Sequence, residues 1–199
     1  MKLFRRKEID FMQGKRIGVV GLYPRCGVTH IALALANYLS DRYGKTVCIM
    51  EKSGHSDLKY AVMGMNDDKK AELLEYQNVT YLCHGCEREA ELLLDSSFDC
   101  IVTDLGSDLK AAILELSHCD IRIVVGNAAP WCGKEYDELK LLSEKKGLLM
   151  NWRLLINLGN PANIRDYGSL GLEAFCFPFE PEPIFPGSET QKIFEAVLN

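Results

Sequence analysis

"GLYPRCGVTH", residues 21–30, separates the apolar run "RIGVV" (16–20) from "IALALANYL" (31–39), whose small and apolar residues recur at helical spacing. A strand, a glycine-bounded loop and a helix, in that order, make a phosphate-binding loop. There, backbone N–H groups converge on an anion at the helix N-terminus, helped by a lysine ammonium and a hydroxyl that holds Mg²⁺. Gly21 and Gly27 can bound such a loop, and Thr29 can supply the hydroxyl. The residues between depart from the pattern. Pro24 has no N–H to offer, Arg25 and Cys26 meet a steric cost wherever the loop requires positive φ, and Val28 brings no charge.

Outward from this loop, β-rich runs alternate with helical patterns. The strand candidates are 16–21, 45–51, 78–83, 98–104, 121–126, 152–157 and 174–179. The helix candidates are 28–42, 56–63, 68–76, 87–95, 108–117, 133–146, 163–170 and 189–198. Several strands are apolar on both faces, as strands of a covered parallel sheet are. The pattern predicts an α/β fold, a doubly wound, mainly parallel sheet with helices on both faces. In such folds ligands sit at the carboxyl ends of strands, here 21–30, "EKSGHSD" (51–57), "DLGSD" (104–108), "NAAPWCGKE" (127–135) and "NLGNPAN" (157–163).

At 199 residues and 47% hydrophobic content the chain suits one sizeable core. A basic N-terminal tail (1–15) followed by one domain (16–199) is the expected organisation. Residues 1–16 carry a balance of +4 within a net charge of −5, which leaves −9 for the remainder and argues against a general nucleic-acid surface. No apolar run approaches the ~20 residues of a membrane span, and the N-terminus lacks the apolar segment of a secretory signal. The eight cysteines are too sparse for a small disulfide scaffold, and Cys48, Cys100 and Cys176 lie in strand-like runs. These features point to a reduced, cytoplasmic protein.

The loop and its setting resemble the MinD/ParA group of P-loop ATPases, also called the CobQ/CobB/MinD/ParA nucleotide-binding domain. That group reads lysine-glycine-glycine-x-glycine-lysine-threonine in its deviant Walker A motif. Gly27 and Thr29 match it. Tyr23 stands at the signature lysine, Pro24 and Arg25 at the two glycines, Val28 at the phosphate-binding lysine, and His30 at the following Ser/Thr position. "FDCIVTDLGS" (98–107) is similar to the group's Walker B strand, which makes Asp104 the Mg²⁺-linked carboxylate. Glu51 lies where the group has an aspartate that orients the attacking water. Asn157 matches a strand-end asparagine and Pro178 an adenine-side proline.

The resemblance therefore implies ATP or ADP with Mg²⁺, the metal held by Thr29 and Asp104, with Asp104 and Glu51 as catalytic candidates. Its nucleotide-binding candidates are Gly21, Tyr23, Arg25, Cys26, Gly27, Val28, Thr29, His30, Asn157 and Pro178. With both lysines absent, it implies a weak ATP binder or pseudo-ATPase. Within the group the chain looks most like the TadZ-like members associated with pilus assembly. That likeness implies a positioning or assembly factor working with a protein of a pilus or secretion apparatus, with a homodimer and peripheral contact at the inner membrane face both admitted. Two alternatives stay open: a slow ATPase or small-molecule kinase using Arg25, Thr29 and Asp104, and a ligand-free interaction module.

Other motifs carry less. "CHGCE" places Cys83 and Cys86 in a C-x-x-C, but no second ligand pair completes the four a structural zinc needs, so no structural metal is expected. "FCFPFEPEPIFP" (175–186) reads as a rigid connection through Pro178, Pro181, Pro183 and Pro186. Trp131 is either a partner anchor or a half-buried core residue. The face formed by Ile193, Phe194, Val197 and Leu198 is expected to pack against the sheet rather than enter a membrane.

Overall fold

Lys15–Gly21 (β1) sends Ile17 and Val19 into the core on one side of a sheet and Val20 into the core on the other. Val47–Glu51 (β2) does the same, with Val47 and Ile49 on one side and Cys48 on the other. Strands apolar on both faces can be stable only where both faces are covered, and this is what fixes the layered architecture. The computed structural model describes residues 14–62, 73–83, 98–146, 152–159 and 172–199. Its remaining strands are Leu73–Tyr76 (β3), Val79–Leu82 (β4), Cys100–Asp104 (β5), Ile121–Asn127 (β6), Trp152–Asn157 (β7) and Glu173–Phe177 (β8). Together the described strands form one sheet in the order β3-β4-β2-β5-β1-β6-β7-β8, parallel except for the β3–β4 pair.

One face is covered by Val28–Tyr43 (α1), Asp57–Val62 (α2) and Ser188–Leu198 (α5). The other is covered by Leu109–Ser117 (α3) and Gly133–Lys146 (α4). The amphipathic C-terminal segment packs inward as its spacing predicts: Phe194, Val197 and Leu198 are buried, and Phe194 meets the rings of Tyr38 and Phe177, each at 5.5 Å between centroids. Within the same core, Tyr81 donates its hydroxyl hydrogen to Asn37 Oδ1 at 3.0 Å, so a buried polar pair is satisfied rather than orphaned.

The helix expected over 68–76 is corrected at its end, because Leu73–Tyr76 is a strand paired antiparallel with β4. Gln77 and Asn78 between them both adopt left-handed backbone, φ 49° and 62°. Two successive residues with positive φ form the primed hairpin turn whose twist matches that of the flanking strands, and asparagine is among the residues that tolerate it. Residues 68–72 and the helix candidates 87–95 and 163–170 lie outside the described residues. The sheet aligns the strand ends that matter for function: Glu51 lies in register with Asp104, and Asn157 with Asn127 and Phe177.

Candidate functional site

Gly21 ends β1 by donating its N–H to Gly106 O at 2.8 Å, and Leu22 donates to Val125 O at 2.9 Å, so the loop leaves the sheet pinned on both sides. It turns through Arg25 at φ 65° and Gly27 at φ 103° before α1 begins. Gly27 is required twice over. Its φ suits glycine, and a Cβ there would strike Asn157 Nδ2. That same Nδ2 donates to Cys26 O at 3.0 Å, so the end of β7 braces the loop from the side. No side chain caps α1, and the N–H groups of its first turn, with the positive end of the helix dipole, remain available to an anion.

Beneath the loop, Asp104 is fully buried at the end of β5. Its Oδ2 accepts the Thr29 hydroxyl hydrogen at 2.6 Å, and its Oδ1 accepts the Gly106 N–H at 2.9 Å. Burial raises the carboxyl above the ordinary aspartate range. The two hydrogen bonds oppose that rise, and the nearby charges of Glu51 and Asp57 add to it. Glu51, 4% exposed, accepts from the Ser53 hydroxyl at 2.6 Å and the Asp57 N–H at 3.0 Å through Oε1, while its Oε2 has no partner.

A cleft of about 630 Å³ opens above these groups, lined on the loop side by Pro24, Arg25, Gly27, Val28, Thr29 and His30. Ser53, His55, Gly106 and Ser107 form the opposite wall. Val28 does not reach across it. At 7% exposure, Val28 packs with the Cys26 sulfur into the space that a Cβ on Gly21 would need, and both belong to the core beneath α1. The Cys26 thiol is pushed up to about 11 by burial, against the backbone N–H groups around it. Tyr23 turns inward and packs against the cores on both sides of the sheet, and burial raises its phenol. Asn157 braces the loop, and neither it nor Pro178 lines the cleft.

The structure thus gathers Arg25, Gly27, Val28, Thr29 and His30 at one opening, with Asp104 and Glu51 below it. It adds Ser53, His55, Asp57 and Ser107, which sequence reasoning had not named as site residues. Their signal was their place in the stretches after β2 and β5, at the carboxyl edge of the sheet. Cys83 is buried just after β4, and Cys86 lies outside the described residues. Among the described residues no group of three or more His, Cys, Asp or Glu side chains is placed to hold a metal ion. No described helix is long and apolar enough to cross a membrane.

No family model and no curated protein matches this sequence. Solved structures do match its fold. The MinC:MinD cell division complex of Aquifex aeolicus contains a chain that superposes with a TM-score of 0.68 at 18% identity, over 92% of this chain and 95% of that one. A plasmid partition protein of Borrelia burgdorferi bound to AMPPNP gives 0.62 at 15% identity, over 94% and 97%. The septum site-determining protein MinD of Pyrococcus horikoshii complexed with Mg-ADP gives 0.62 at 16%, over 92% and 94%. The fold is that of the MinD/ParA P-loop NTPases.

Proposed function

We propose that this chain, built on the MinD/ParA fold, is a weak nucleotide binder with little or no ATPase turnover that serves as a positioning or assembly factor. The observation that carries the reading is the Thr29–Asp104 hydrogen bond at the foot of an uncapped helix N-terminus, beneath an open cleft. These parts fit a magnesium nucleotide. Backbone N–H groups of the first turn of α1 would meet phosphate oxygens, and Thr29 and Asp104 would hold the ion. Arg25, exposed at the lip, supplies a guanidinium that suits phosphate. Bound Mg²⁺ would neutralise charge on the phosphates.

The same site is poorly equipped for turnover. A preorganised cation or donor at the transferred phosphoryl is worth about 3–4 kcal/mol of barrier. Val28 fills the lysine position with methyl groups, and Tyr23, at the signature-lysine position, is folded into its own core. Glu51 is held by Ser53 and the Asp57 N–H, an arrangement that anchors the loop after β2. The resemblance to TadZ-like proteins supplies the kind of partner, a component of a pilus or secretion apparatus.

Calorimetric titration with ATP and ADP, with and without Mg²⁺, tests the reading. Weak, Mg²⁺-assisted binding with background hydrolysis is expected. Robust Mg²⁺-dependent hydrolysis that disappears in Asp104→Ala overturns it in favour of an ATPase. A folded protein that takes up neither nucleotide leaves the interaction module as the function. Self-association is expected to be independent of ATP, because Tyr23 offers no cation to a partner's phosphates; sedimentation showing a dimer only with ATP contradicts that.

A further inference from the structure

Beside the α1 cleft lies a second cavity of about 490 Å³, with Pro24, Ser53, His55, Gly106 and Ser107 as the shared wall. Its apolar lining is Leu22, Leu105, Leu109 and Leu142, contributed by the phosphate-type loop, the turn after β5, α3 and α4. Its charged lining is largely spent on internal contacts. Lys52 pairs with Glu115 at 2.8 Å, Lys110 with Glu138 at 3.5 Å, and Asp108 caps α3 by accepting the Ala111 N–H at 3.0 Å. Glu135, in the first turn of α4, is the exception. Its Oε2 is closed off from solvent and meets no donor, although the residue lines the cavity.

A carboxylate oxygen that has lost water and gained no hydrogen bond is unfavourable, and a cation brought within reach relieves it. The terminal torsion of a glutamate is broad, and rotation about it would bring this oxygen to the cavity wall. The volume falls in the range of small-molecule pockets, and an apolar lining with one unsatisfied charged group is the composition that orients a small ligand. One carboxylate with leucines around it suits an organic cation rather than a metal ion, which demands several oxygen ligands. We propose that this second cavity binds a small organic cation, a primary amine or guanidine on a short apolar body, with Glu135 receiving the cationic head and the four leucines covering the body.

The test uses the full chain without nucleotide or Mg²⁺, so its outcome does not depend on whether the α1 cleft binds ATP. Butylguanidinium is titrated into ¹⁵N-labelled protein, with butanol and butyrate as controls. A probe of this size should bind at about the millimolar level. Saturable amide shifts are expected across Gly106–Ala111 and around Glu135, with butyrate producing none. Glu135→Gln, which keeps shape and removes charge, should weaken binding about tenfold or more. If that variant fails to fold, Glu135→Asp withdraws the carboxylate by one methylene and should weaken binding severalfold. Absence of saturable shifts, equal shifts from butanol, or unchanged affinity in the folded Glu135 variants overturns the proposal.

Discussion

Replacing Val28 by lysine restores the cation that the loop lacks, and the structure changes what that replacement should cost. A lysine at a loop position open to solvent would cost little. Val28 is instead packed against Gly21 beside the Cys26 sulfur, so Val28→Lys should lower stability by about 1–2 kcal/mol, softened where the lysine stem reuses the space. If the phosphate space is open, the new ammonium should tighten ATP binding by about 1.5–3 kcal/mol, roughly tenfold to a hundredfold. Unchanged affinity in a folded variant would show that the loop keeps only its outline. Asp104 offers the complementary test. Its carboxyl is raised by burial, so its ionised form weakens the fold as pH rises through the raised value. Asp104→Asn can accept from Gly106 and donate to Thr29, and should raise stability near neutral pH while removing any Mg²⁺-dependent gain in nucleotide affinity. Paired denaturation and calorimetry read both effects.

At the scale of elements, the loop is shaped from outside as well as by its own sequence. The Asn157 side chain, from the end of β7, holds Cys26 O, and Gly27 has no room for a Cβ beneath that side chain. Asn157→Ala should therefore cost about 1 kcal/mol and also weaken nucleotide binding, since the first-turn N–H groups of α1 lose their fixed approach. The sheet itself should be unaffected. Thermal unfolding followed by circular dichroism, alongside an ATP titration, separates these outcomes; a drop in stability with full affinity would confine Asn157 to a structural role. The β3–β4 hairpin makes the same point about elements. Its strand character came from the two left-handed residues at 77 and 78, which no apolar periodicity announces.

For the whole molecule, acid sensitivity should come from carboxylates at loop junctions away from the cleft floor. Burial alone would raise Asp99, but the Thr46 N–H at 2.9 Å, the Thr46 hydroxyl at 3.0 Å and the Lys45 charge hold it below its ordinary value. Burial likewise opposes, and is outweighed, at Asp120 by the Arg16 N–H and Lys15, and at Glu180 by the Gly187 N–H and the Thr190 hydroxyl. A lowered carboxylate stabilises fully above its unfolded value of about 4, and the contribution is lost as pH falls through the lower folded value. The difference in melting temperature between the protein and Asp99→Asn should therefore be constant near neutrality and shrink below about pH 4. A difference that persists to about pH 2 would mean that the carboxylate charge is not what matters.

The alternation of β-rich and helical runs, with a glycine-bounded loop after the first strand, determined the doubly wound sheet, the position of α1 and the carboxyl edge where a site belongs. Those signals are local: side-chain period and glycine placement act within a few residues of chain. Thr29 and Asp104 were also legible, because each closes or opens an element at that edge. Only the tertiary structure decided that they touch at 2.6 Å, since 75 residues separate them and strand order cannot be read from local pattern. It alone showed Val28 and Tyr23 turned into the core, Asn157 bracing the loop, and Ser53 and His55 facing it. Those facts depend on which side chains fill the space between distant strands, and packing is a property of the assembled sheet rather than of any segment.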